Sequence, residues 1–222
     1  MNKTKFSFRQ WLMIFVPVLL IVIMWTMFIN FTLAFGLVNG YFYSFVFYWL
    51  FWCFLVPLYV LKGFKPLLNL FKSVKPRFGE KPDITLFLIS WPVLLSLFFA
   101  FLPQIHKVTF LVVIFSIILG FVNGFGEEIL WRGVYVTLFP DNIKFNYIYP
   151  SIFFTLWYIC PLSVMITRFA GGIYSILGIS LLLGLSWGYY VRKTGSIRWS
   201  AIMHAIFDIL TLGGLLYTGG FI

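Results

Sequence analysis

From Trp11 to Leu61 the chain carries no Asp, Glu, Lys or Arg. A run of that length is long enough for two membrane crossings of about 20 residues each, with the turn expected at Gly36, Asn39 and Gly40. Further apolar runs follow at 84–103, 108–139, 145–160, 173–191 and 199–218. Only 10% of the residues are charged and 62% are hydrophobic, against about 25% and about 45–50% in an ordinary soluble domain. A soluble fold of this length could not hide so much apolar surface, and the pattern also excludes a disordered chain, a coiled coil and a disulfide scaffold. The expectation is an all-α polytopic membrane protein, a bundle of about seven to eight transmembrane helices with a buried polar site. Residues 1–222 read as a single membrane domain, with 1–83 as an N-terminal two-span extension. The first run is too long for a signal-peptide core and lacks a small-residue cleavage site, so it reads as a retained anchor.

The net charge of +10 comes from 16 basic against 6 acidic residues. With the N-terminus inside, segments 1–10, 62–83, 140–146 and 192–198 hold thirteen of the basic residues, and the outer loops hold only Lys107 and Arg168. That asymmetry follows the positive-inside rule and makes the N-terminus and the basic loops cytoplasmic. The same distribution argues for membrane lipids, and against nucleic acid, as the partner of the positive charge. Segment 62–83, with Leu67, Leu68, Leu70 and Phe71 between its lysines, reads as an interfacial amphipathic piece. Cys53 and Cys160 have no metal or redox spacing and read as small buried apolar side chains.

Glu127, Glu128 and Asp208 lie within apolar runs, as do Arg132 and His204. An ionisable group at the centre of a membrane helix costs at least about 2.5–3.5 kcal/mol, so such groups mark function by default. Helix rise places Glu127 about 18 Å, Tyr158 about 16 Å, Asp208 about 15 Å and His204 about 9 Å from the inner face, which puts three helices' polar groups in one layer. Glu128 and Arg132 are spaced i,i+4, which suits a structural ion pair. Glu127 projects about 100° away, free to face a cavity. His204 and Asp208, also i,i+4, share a helix face. Helix-packing glue is the competing reading of the His204–Asp208 pair, and a transporter's proton relay is that of the Glu, His and Asp together, although no paired halves stand out as in many transporters. A metal site would need Glu127, Glu128 and His204 as ligands. Arg132 competes for Glu128 and no HExxH spacing is present, so no metal or cofactor is expected.

The run Gly126-Glu127-Glu128-Ile129-Leu130-Trp131-Arg132-Gly133 resembles the EExxxR motif of the CAAX-protease and bacteriocin-processing (CPBP, or Abi) family of intramembrane proteases. The stretch from Gly184 through Arg192-Lys193-Thr194-Gly195-Ser196 to His204-Ala205-Ile206-Phe207-Asp208 resembles the family's last motif, HxxxN or HxxxD. The resemblance covers about residues 85–215. The middle motif, FxxxH, corresponds to Phe154-Thr155-Leu156-Trp157-Tyr158, with tyrosine where the histidine is expected; the only other histidine, His106, falls in an outer loop. The resemblance implies an intramembrane endopeptidase that hydrolyses a peptide bond in a membrane-associated or lipidated substrate, prenylated substrates included. Glu127 would activate water, and His204 and Asp208 would stabilise the oxyanion. Tyr158 would take the histidine's place beside the water. Because Tyr158 cannot accept a proton as imidazole does, the resemblance also leaves open a weakened or inactive member acting in immunity or regulation.

Overall fold

A computed structural model describes residues 6–72, 78–165 and 172–218, the last seven of these as backbone only. Lys3, Lys5, Lys75, Arg77 and Arg168, which enter the charge argument, lie outside the described residues. All regular structure described is helical. In hydrocarbon a backbone must satisfy its own hydrogen bonds, and a helix does so within one segment.

Helix α1 spans Phe8–Phe35 and α2 spans Leu37–Val60. They are separated by one residue, Gly36, whose φ of 82° suits glycine. The expected turn is therefore tighter than the sequence suggested: Asn39 and Gly40 are already inside α2. Gly40 lies so close to the Phe31 backbone that a Cβ has no room, which lets the two helices cross tightly. A short helix α3, Phe64–Asn69, buries Leu67 and leaves Phe64 and Leu68 exposed. Helix α4 spans Pro82–Lys107 and α5 spans Phe110–Leu138. The expected loop at 104–107 is helical too, as a tight 3₁₀ end to α4. Helix α6 runs as Lys144–Ile148 and Tyr149–Trp157, and α7 is the short piece Ile159–Leu162. Helix α8 is Gly172–Thr194 and α9 is Arg198–Thr218.

Five of these, α1, α2, α4, α5 and α8, are long and apolar enough to cross a membrane. The other two expected crossings are helical as well. One is broken at Tyr158 and the other, α9, carries Arg198, His204 and Asp208. The polarity is inverted relative to a soluble fold: Glu127, Glu128, Arg132, His204 and Asp208 are buried, while Phe15, Phe87, Phe99 and Phe110 are exposed. The protein is an integral membrane bundle.

One end of the bundle gathers the segments that the charge argument puts on the same side. Arg9 donates to the Val60 carbonyl and Gln10 to the Leu138 carbonyl. The Ile197 amide donates to Leu70, and the Arg198 side chain to Phe71. Gly79 rests beside Lys193. We call this the inner end.

Candidate active site

Glu127 and Glu128 sit where α5 changes from regular helix to a wider π-helical stretch, Ile129–Gly133. Such stretches often occur at functional sites. Helix α9 packs along α5 at very short range. A Cβ on Gly124 would stand 2.6 Å from the Ala205 nitrogen, and one on Gly120 would stand 2.7 Å from Ile209. Small residues let membrane helices approach in this way. The close crossing delivers His204 and Asp208 to the two glutamates.

The neighbouring glutamates have different partners. Glu128 Oε1 lies 3.0 Å from Arg132 and 3.2 Å from His204 Nδ1. The Arg132 guanidinium also lies over the Phe154 ring, 4.0 Å from its centre, which adds a cation–π contact. Glu127 makes no such pair with Arg132. Its Oε1 accepts from the Tyr48 hydroxyl at 3.0 Å and from the Trp157 indole at 2.9 Å. Its Oε2 has no hydrogen-bond donor among the described residues and faces His204 Nε2 at 3.5 Å. The same Nε2 lies 3.7 Å from Asp208 Oδ2, which accepts from Asn123 at 2.9 Å. Trp187 packs its ring against the imidazole at 4.3 Å. Glu127 is 1% exposed and His204 0%.

His204 thus stands between two kinds of carboxylate. Glu128, already paired with Arg132, takes the Nδ1 side and fixes the ring's orientation. Nε2 faces Glu127 Oε2 at 3.5 Å and Asp208 Oδ2 at 3.7 Å, within ion-pair distance of both carboxylates and hydrogen-bonded to neither. That arrangement can accept and return a proton in a site closed to bulk water.

The structure brings Glu127, Glu128, Arg132, His204 and Asp208 into one contiguous cluster. Tyr158 is not hydrogen-bonded into it: its ring packs edge-on against Phe154 at 5.4 Å, and its neighbour Trp157 makes the bond to Glu127. Sequence reading also missed Tyr48, Trp131, Asn123 and Trp49. Trp131 donates to the Tyr48 hydroxyl at 2.9 Å, and Trp49 donates to Asn123 at 2.9 Å. Asn123 had a readable signal, being a polar residue one helical turn before Glu127 in an apolar run. Tyr48 and Trp157 had none, among 12 tyrosines and 9 tryptophans.

Residues 107–210 match the Rce1-like family model, described as type II CAAX prenyl endopeptidase Rce1-like. This segment belongs to the CAAX-protease and bacteriocin-processing family. The match contains the whole charged cluster and Tyr158, and it falls inside the 85–215 stretch over which the motifs resemble that family. Tyr48 and Trp49 lie outside the family segment. No curated protein and no solved structure matches the chain.

Proposed function

We propose that the protein is an intramembrane endopeptidase that cleaves a peptide bond in a membrane-associated substrate, with lipid-modified C-terminal peptides as the first class to test. The observation that carries this reading is the state of Glu127: a carboxylate inside the bundle, anchored through Oε1, disengaged from Arg132, and directed through Oε2 at His204. In the reaction Glu127 takes a proton from water as the water oxygen attacks the scissile carbonyl. The oxyanion that forms needs preorganised donors in a dry site. His204 donates from Nε2 when protonated there, its ring held by Glu128. Asp208 donates only in its protonated form; ionised, it orients His204 instead. The proton then passes to the leaving amine.

The test is cleavage of prenylated and unprenylated peptides by the purified protein in lipid. Glu127→Ala is expected to abolish product, and equal product from both proteins would refute the catalytic role. A second reading, favoured by Tyr158, is a weakened or non-cleaving member. It expects Tyr158→His to raise or confer cleavage, while Glu127→Gln leaves the cellular phenotype intact. Loss of that phenotype in Glu127→Gln counts against it.

A further inference from the structure

The family match begins at residue 107, yet two consecutive residues of α2 reach both ends of the charged cluster. Tyr48 donates its hydroxyl to Glu127 Oε1, and Trp49 donates its indole N–H to Asn123, whose amide donates in turn to Asp208 Oδ2. Both residues open a π-helical stretch, Tyr48–Leu55. The wider turn of that stretch brings successive side chains closer to one face than a regular helix does. Asn123 and Glu127 are i,i+4 on α5 and so share the face that α2 meets.

Tyr48 is fully buried and over-determined. Its ring stacks on Trp157 at 3.8 Å, and its oxygen accepts from Trp131 while donating to Glu127. With Trp157 on the same carboxylate oxygen, this network anchors Glu127 Oε1 while Oε2 faces His204. Trp49 does the equivalent for Asp208 through Asn123.

We propose that Tyr48 and Trp49 are positioning residues supplied by the N-terminal helix pair, so that the site of the family segment is completed from outside it. The kinetic consequence rests on the peptidase reading above; the positioning itself does not. Tyr48→Phe keeps the stacked ring and deletes only the hydroxyl, and Trp49→Phe deletes the indole N–H. Tyr135→Phe is the control, because its hydroxyl is equally buried but bonds the Met13 carbonyl on α1, away from the cluster.

The readouts are cleavage kinetics on a prenylated peptide and infrared difference spectra in lipid. Subtracting the Glu127→Gln spectrum isolates the Glu127 carboxyl bands, and subtracting Asp208→Asn isolates those of Asp208. Tyr48→Phe is expected to shift the Glu127 bands and to lower kcat by roughly tenfold to a hundredfold with KM nearly unchanged, as loss of a hydrogen bond to a charged group implies. Trp49→Phe is expected to shift the Asp208 bands, and Tyr135→Phe to shift neither set. Unshifted Glu127 bands in Tyr48→Phe overturn the role of Tyr48, and unshifted Asp208 bands in Trp49→Phe overturn that of Trp49. Equal shifts in the Tyr135→Phe control overturn both. If Glu127→Gln cleaves like the wild type, the peptidase reading falls while the spectra still decide the positioning. If Glu127→Gln is inactive and Tyr48→Phe keeps its kcat, the kinetic role of Tyr48 is overturned while the peptidase reading stands.

Discussion

Two adjacent carboxylates with the same chemistry end with different partners because one guanidinium pairs with only one of them. Arg132 is four residues from Glu128, on the same helical face, and holds it at 3.0 Å. Both partners are buried, at 3% and 0% exposure, so the pair gains little net stability over an apolar substitute, but breaking it strands a charge. Arg132→Met is therefore expected to destabilise the protein by about 3–5 kcal/mol, mostly through the orphaned Glu128. Thermal or denaturant unfolding in detergent checks this, and a loss below about 1 kcal/mol would show that Glu128 finds its counter-charge elsewhere. Glu128→Gln together with Arg132→Met is expected to recover part of that loss, since the stranded charge goes with the ion pair. This pair was legible in the sequence because its spacing is local. So was the shared face of His204 and Asp208. The bonds from Tyr48 and Trp157 to Glu127 were not, since they join residues 79 and 30 positions apart and no periodicity encodes such a meeting. Tyr158 was placed by analogy with a histidine; the bond to Glu127 comes from its neighbour Trp157, a residue that the motif leaves unspecified.

At the scale of elements, apolar run length located the helices to within a few residues, because in lipid the length of a run and the length of a helix are the same constraint. It could not show how closely α5 and α9 pack. That depends on glycines whose missing side chains leave no hydrophobic signal. Gly124 opposes backbone atoms of Ala205, 2.6 and 2.8 Å from where a Cβ would stand. Replacing a helical glycine by alanine ordinarily gains up to about 1 kcal/mol. Here the methyl meets main chain that cannot rotate away, and overpacking costs about 1–3 kcal/mol. The clash outweighs the propensity gain. Gly124→Ala is expected to be less stable than the wild type and, by pushing α9 outward, to separate His204 from Glu127 and lower any cleavage more than it lowers stability. A variant as stable and as active as the wild type would mean that α9 shifts without cost. Gly36→Ala provides the contrast: nothing stands within 4 Å of its Cβ position, so its cost comes only from its backbone φ of 82°.

For the molecule as a whole, the arrangement of charge makes a statement about orientation. The inner end joins the starts and ends of several helices through Arg9, Gln10, Ile197 and Arg198, and nine of the sixteen basic residues lie in the described parts of the segments that meet there. Helix α4 leaves that end beside Gly79 and reaches His106 near its far end. Its 26 residues span about 39 Å at helical rise, enough to cross the hydrocarbon layer. We therefore propose that the inner end is cytoplasmic and His106 external, in accord with the bias of Lys and Arg toward the cytoplasmic side. Single cysteines read this out directly, because Cys53 and Cys160 are both buried and shielded from a membrane-impermeant thiol reagent. Lys65, His106 and Lys144 are exposed. In intact cells His106→Cys is expected to label, while Lys65→Cys and Lys144→Cys label only in inverted vesicles. The opposite pattern would invert the protein, and labelling of Lys65→Cys and Lys144→Cys from different sides would break the shared inner end. The proposed orientation bears on the proposed chemistry as well: Glu127 is about 18 Å of helix from Phe139 at that end, so under both proposals a substrate anchored in the cytoplasmic leaflet would approach the carboxylate from the inner end.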